Sequence, residues 1–189
     1  MNVYDFDQTI FYPDSSYCFT LWYIKKHPLV GLLCAPAAAL FSLLYLFRLV
    51  PKERFKEKIF AYLRYIDDID SEILRFWKEN EYRLCPWYLE QRRDDDVIVS
   101  ASPDFLVRPI CEKLGVELIA TDMDRNTGRI RGRNCDSDEK LRRFRVLYPD
   151  GKISGFYSDS LSDAPLAGIA ERAYLVKGKG CKVSPWPNM

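Results

Sequence analysis

Histidine is all but missing from this chain: His27, between a pair of lysines and Pro28, is the only one in 189 residues. A Ser-His-Asp triad, a Cys-His pair or a zinc cage of several histidines therefore has almost no material to draw on. The six cysteines, at positions 18, 34, 85, 111, 135 and 181, form no C-x-x-C pair. They read as free thiols of a reducing compartment. No charge of one sign dominates either, with 28 basic and 27 acidic residues and a net charge of +1. No overall field favours nucleic acid, and no such partner is expected. There is no internal repeat, and no room before Asp5 for the charged and apolar regions of a secretory signal peptide, so a cytoplasmic location is expected.

What the chain has is enough apolar sequence, 48%, for one core and a smaller accessory unit. Its organising stretch is Asn2 to Ile10. A few strand-forming residues run into Asp5 and Asp7, which share one face of an extended backbone. Two acids so placed can divide labour, one as nucleophile and metal ligand, the other as proton carrier. Taken alone, they could equally end a strand and solvate its turn.

Along the chain, Asp14-Ser15-Ser16 predicts a helix start, with Tyr17, Leu21 and Ile24 on one helical face. Pro28 to Phe47 is a run of twenty residues without a charge, bounded by Lys25 and Lys26 before it and by Arg48, Lys52 and Arg54 after it. By length it could cross a membrane. A single crossing would separate Asp5 from everything beyond Val97, so the run is expected either as a hairpin broken near Pro36 and buried, or as a segment dipping into a membrane surface. Phe55, Ile59, Tyr62, Leu63 and Ile66 form an amphipathic stripe beside Lys52, Arg54, Lys56 and Lys58. Ile73, Leu74, Phe76 and Trp77 mark the buried side of another helix. A short helix is expected at Pro86 to Gln91, followed by a solvated loop over Arg92 to Asp96.

Beyond the loop the period changes to alternating β and α. Val97-Ile98-Val99 suits a buried parallel strand. Ser102 can cap a helix beginning at Pro103 and closed by Gly115. A strand at 116–121, a hairpin-like excursion over 122–133, a helix at 138–147, a strand at 153–157, a helix at 163–172 and a strand at 173–176 follow. The tail from Gly178 reads as irregular.

Four stretches, Val3 to Thr9, Val97 to Ser102, Cys135 to Lys140 and Phe156 to Asp163, resemble in chain order the four signatures of the haloacid dehalogenase-like phosphohydrolases. The resemblance implies an α/β fold, a Rossmann-like parallel sheet with flanking helices made of residues 1–10 and 94–189. An all-helical cap, 11–93, would be inserted as in the subgroup that includes phosphoserine phosphatase. It implies Asp5 as the nucleophile forming an aspartyl-phosphate and Asp7 as general acid and base. Mg2+ would be held by Asp5, the backbone carbonyl of Asp7 and Asp159. Ser100, Lys140 and Thr9 would bind the phosphoryl group, and Asp163 would orient Lys140 or the surroundings of the metal. Gln8, Ser137 and Ser158 depart from residues common in the family, without removing a charge the chemistry needs.

Ser100-Ala101-Ser102-Pro103 and Ser158-Asp159-Ser160, together with the apolar cap segment, look more like the branch containing phosphatidylglycerophosphatase C. That resemblance implies a phospholipid substrate, with Pro28 to Val50 as a peripheral membrane seat at the inner face. A phosphorylated small molecule of the phosphoserine kind, a phosphotransferase using the same intermediate and an inactive membrane-surface binding module are the alternatives.

Overall fold

A computed structural model describes residues 1–179 and 182–187; Cys181 lies outside the described residues, and the other five cysteines are free thiols. The fold is α/β. Among the described residues six strands lie in the order β3-β2-β1-β4-β5-β6: β1 (Asn2–Tyr4), β2 (Val97–Pro103), β3 (Glu117–Thr121), β4 (Gly155–Ser158), β5 (Ala173–Lys177) and β6 (Lys182–Pro185). The first five are parallel, and β6 returns antiparallel to β5. The expected irregular tail is thus partly an edge strand, anchored by Trp186 against Phe156.

Alternation along the strands divides the core between the two faces of the sheet. Tyr4, Ile98 and Leu118 join one buried cluster with Phe6, Phe11, Phe19, Phe76 and Trp77. Val3, Val97, Val99 and Ile119 join the other with Phe144, Phe156 and Leu166. Both faces are covered, as a parallel sheet requires. β1 is central, flanked by β2 on one side and β4 on the other. The strand order therefore reverses at its carboxyl end, the place where open α/β sheets form a crevice.

Between β1 and β2 the chain forms five helices, α1 (Ser15–Lys26), α2 (Pro28–Leu46), α3 (Lys52–Ile59), α4 (Ile69–Asn80) and α5 (Pro86–Gln91), with 3-10 turns at Phe60–Tyr65 and Glu81–Arg83. α1 is capped by Asp14, whose side chain accepts from Tyr17 N at 2.7 Å. Its buried residues are Ser15, Phe19 and Tyr23, while Tyr17 and Leu21 are exposed. The face shared by Tyr17, Leu21 and Ile24 is thus not the buried one, because α1 is apolar on several sides and only its neighbours choose between them. Leu74 of α4 is likewise exposed, whereas Ile73, Phe76 and Trp77 are buried.

The apolar run forms neither a hairpin nor a buried element. α2 is one continuous helix through Pro36, and among its residues only Gly31 is buried. Its mean hydropathy of 2.2 and its length would allow it to cross a membrane. α1, α3 and the Phe60–Tyr65 turn pack along one side. The other exposes Leu29, Leu32, Leu33, Leu40, Leu43 and Leu46.

After β2 come α6 (Asp104–Leu114), α7 (Asp138–Leu147) and α8 (Ala164–Ala167). Gly115 closes α6 at φ +68°, a left-handed position that glycine takes without steric cost. α6 starts at Asp104 without a side-chain cap, because β2 continues to Pro103, which pairs with Thr121 after a register shift. Ser102 is therefore free for another task. The expected loop before β2 is solvated except at Asp96, which is buried and accepts from Asn2 N and Arg93 N. The helix expected over 163–172 shrinks to a 3-10 turn, Leu161–Asp163, and the single turn of α8. Ala170 already bridges to Ile153 on the way to β5. The 122–133 excursion is closed by an antiparallel bridge between Met123 and Ile130. Its Gly128, at φ +73°, lies so close to Phe60 that a Cβ would fall 2.6 Å from the Phe60 carbonyl oxygen.

Candidate active site

The crevice at the carboxyl end of β1 is a cavity of about 570 Å³ whose lining includes Asp5, Asp7, Lys140, Asp159 and Asp163. Asp5 follows β1 directly and Asp159 follows β4, so the parallel pairing of these neighbours sets the two carboxylates side by side. Thr9 is fully buried, and its Oγ1 accepts from Asp159 N at 2.9 Å, tying the loop after β1 to the loop after β4. Lys140 projects from the first turn of α7, where Asp138 and Glu139 suit the positive end of the helix dipole.

The charged groups form a chain. Lys140 Nζ lies 2.8 Å from Asp5 Oδ1 and 2.7 Å from Asp163 Oδ2. Asp5 Oδ1 also accepts from Phe6 N at 2.8 Å, and Asp163 Oδ2 accepts from Ser158 Oγ at 2.8 Å. Burial alone would pull the Lys140 ammonium down, but Asp5 and Asp163 outweigh it and hold the group above its ordinary range. For Asp5 burial is the largest influence, and despite Lys140 it pushes the carboxyl up to about 6. Asp159 is pushed up to about 7, first by burial and then by the charge of the neighbouring Asp5.

Asp7 is held at both oxygens. Oδ1 accepts from Ser15 N at 2.6 Å, and Oδ2 from Ser102 Oγ at 2.5 Å. Burial, followed by the nearby Asp14, pushes it up to about 6. The backbone beside these groups carries two departures from ordinary geometry: Gln8 at φ +59° and Ser137 at φ +46° are non-glycine residues in left-handed territory. Such strain persists where surrounding contacts overdetermine the chain.

Of the residues singled out from sequence, Asp5, Asp7, Lys140, Asp159 and Asp163 converge on one cavity. Ser100 and Thr9 do not line it. Ser100 is fully buried within β2, and its Oγ accepts from Ser102 N at 3.0 Å. The lining residue of that strand with a hydroxyl is Ser102. Sequence reasoning also passed over Lys52 and Lys56, which reach the cavity from α3. Lys52 pairs with Asp136 at 2.7 Å, while Lys56 Nζ donates to the neutral oxygens of Ala101 and Asn134. Burial, then the charge of Lys52, lowers Lys56 to about 8. The signal was present: Lys52, Phe55, Lys56 and Ile59 recur at i, i+3, i+4 and i+7 on one helical face.

Among the described residues no three His, Cys, Asp or Glu side chains form a metal cage. The donor set nevertheless suits a hard cation. Two facing carboxylates of raised pKa call for positive charge between them, and magnesium binds through one or two carboxylates while keeping several waters.

The sequence pattern of the haloacid dehalogenase-like hydrolases matches residues 3–168. The chain belongs to that family. Protein CicA of Caulobacter vibrioides (strain NA1000 / CB15N) is 36% identical over 92 residues, covering 44% of this chain and 41% of that protein. The chain thus spans about two-fifths of that relative. Among solved structures, a protein of unknown function from Bordetella pertussis Tohama I superposes with a TM-score of 0.74 at 18% identity, over 92% of this hydrolase and 87% of the other chain. A phosphoserine phosphohydrolase-like protein from Francisella tularensis subsp. tularensis SCHU S4 gives 0.60 at 18%, over 94% and 88%. At such identities the likeness is one of fold, and it extends across the helical insert of this haloacid dehalogenase-like hydrolase as well as its sheet.

Proposed function

We propose that this hydrolase is a magnesium-dependent phosphatase of phosphate monoesters, with a catalytic core of residues 1–10 and 94–189 and a cap of residues 11–93. The observation that carries the reading is the meeting of Asp5, Asp159 and Lys140 in one cavity, from three separate parts of the chain. Asp5 attacks phosphorus and the ester bond breaks, its electron pair staying with the leaving oxygen. Asp7 gives that oxygen a proton, then takes one from the water that hydrolyses the aspartyl-phosphate. Lys140, held by Asp163, keeps positive charge beside Asp5 and the transferring group. Magnesium, held by Asp5, Asp159 and the Asp7 carbonyl, would neutralise phosphoryl charge.

The preferred substrate is a lipid phosphate, reached from the cytoplasmic side of a membrane. The exposed leucines of α2 support this, together with Lys25 and Lys26 before it and Arg48 after it. With other helices along one side, α2 suits a position in the interface plane. The chain is expected to float with anionic vesicles, and Leu32→Glu with Leu43→Glu to release it. Failure of the unaltered chain to float would remove the membrane reading and favour a small soluble phosphomonoester. The substrate class is tested with magnesium on phosphatidylglycerophosphate, a lysophospholipid phosphate and phosphoserine. Turnover of phosphoserine alone would replace the lipid reading.

Metal dependence has a stability signature. Asp5, Asp7 and Asp159 stand at about 6, 6 and 7 in the folded chain, against an ordinary 3.8. The folded state therefore binds more protons than the unfolded one between about pH 4 and 7, and their contribution to stability is lost as pH rises through that window. In chelator, Tm should fall between pH 5 and pH 8. Magnesium at a hundred times its Kd adds about 2.7 kcal/mol, or about 5–10 °C, at pH 8, and much less at pH 5. A Tm at pH 8 that ignores magnesium would count against this site.

A further inference from the structure

Ser102 is the hydroxyl left over when β2 runs on to Pro103 and α6 begins uncapped. It is 3% exposed, and its Oγ donates to Asp7 Oδ2 at 2.5 Å. Two more hydroxyls meet it there. Ser15 Oγ donates to it at 3.3 Å, and Ser16 Oγ lies 2.8 Å away. With its own hydrogen on Asp7, Ser102 leaves Ser16 to act as donor in that second contact. The arrangement joins the end of β2 to the first turn of α1 around one carboxyl group.

The two oxygens of Asp7 are not equivalent. Oδ1 faces the backbone N–H of Ser15 at 2.6 Å, a group that can only donate. A proton on Oδ1 would be set against that N–H. Oδ2 faces a hydroxyl, which leaves room for a proton: the protonated oxygen keeps a lone pair for Ser102, and the deprotonated one accepts from it as well. We propose that Ser102 is a positioning residue which makes Asp7 Oδ2 the proton-transferring atom and holds it toward the leaving oxygen. This rests on the assignment of Asp7 as general acid made above. As Asp5 bonds to phosphorus, the ester P–O bond breaks with its electrons on the leaving oxygen. The Oδ2 proton moves to that oxygen, and Asp7 is left as a carboxylate still held by Ser15 N and Ser102 Oγ. In the second step a water proton returns to Oδ2 while the water oxygen displaces Asp5 from phosphorus.

The test uses substrates that differ in their need for a proton. An alkoxide such as that of glycerol 3-phosphate leaves poorly without one, whereas the phenolate of 4-nitrophenyl phosphate leaves unaided. The quantity to compare is kcat/KM, which reports the steps through expulsion of the leaving group. Ser102→Ala should lose roughly tenfold more on glycerol 3-phosphate than on 4-nitrophenyl phosphate, part of the 10²–10⁴ that general acid catalysis supplies. Ser102→Thr, which keeps the hydroxyl and suits a strand, should restore most of the difference. The aryl substrate reports on the integrity of the fold in every variant. Equal losses on both substrates, or no loss on either, would overturn the role of Ser102. Asp7→Asn separates the two levels of the argument: it should show the same selectivity more strongly. If it does not, the assignment of Asp7 fails, and the role of Ser102 with it.

Discussion

Asp5→Asn should remove phosphate-ester turnover by roughly 10⁴-fold or more, while the protein keeps its fold. The amide retains an oxygen for Phe6 N and Lys140 Nζ, so the local hydrogen bonds survive. What disappears is the nucleophile. A carboxamide oxygen is a poor attacking group, and the neighbouring carboxylates are already engaged, Asp163 by Lys140 and Ser158 and Asp7 by Ser15 and Ser102. Thermal unfolding should be little changed or slightly improved, since burial already disfavours the charged form of Asp5. Acid quench of a reaction at steady state, followed by intact-mass measurement, should find a phosphorylated protein for the unaltered chain and none for the variant. Undiminished turnover in Asp5→Asn would place the nucleophile elsewhere and end the mechanism proposed here.

The largest stability loss is expected from Lys140→Met. Methionine fills a similar volume but leaves Asp5 and Asp163 facing each other without a cation, their side chains 11% and 2% exposed. Removing one partner from a buried ionic cluster costs about 3–5 kcal/mol. For a chain of this size that is a fall of roughly 10 °C or more in Tm. The loss should be greatest near neutral pH and shrink toward pH 5, because protonation of the stranded Asp5, already pushed up to about 6 by burial, relieves it. Adding Asp163→Asn to the variant should recover part of the loss. An unchanged Tm in Lys140→Met would mean that the cluster is not closed in solution.

Much of this was readable from local pattern. α5 and α7 fall where expected, Gly115 closes α6, and the excursion with Asn126-Thr127-Gly128 forms a hairpin-like loop. These are choices made by neighbours in sequence: a left-handed glycine, a proline at a helix start, a charged helix behind a turn. Asp5, Asp7, Lys140, Asp159 and Asp163 were also legible. Asp5 and Asp7 carry a local context, two acids directly after a strand, whereas Lys140, Asp159 and Asp163 were named through the resemblance of their stretches to the family's signatures.

Other features have no local signature. Whether α1 buries Tyr17 or Phe19 depends on α4 and the Phe60–Tyr65 turn, which supply Phe76 and Tyr62 as partners for Phe19. Whether Ser102 caps a helix or holds Asp7 depends on how far β2 stays paired with β3. Lys52 and Lys56 belong to an amphipathic helix in sequence, and to a cavity wall only once α3 has been laid over the crevice.

The chain by itself thus determined which groups are available for catalysis and, for Asp5 and Asp7, the strand end that carries them, because strand and turn preferences and the i, i+2 geometry act within a few residues. Tertiary structure alone decided that α2 is a single exposed helix, which face of α1 is buried, and which hydroxyl reaches Asp7. Those outcomes depend on contacts between residues far apart in the chain, such as Asp7 with Ser102, 95 positions on. Only the assembled sheet, with its order reversing at β1, brings such residues within reach of one another.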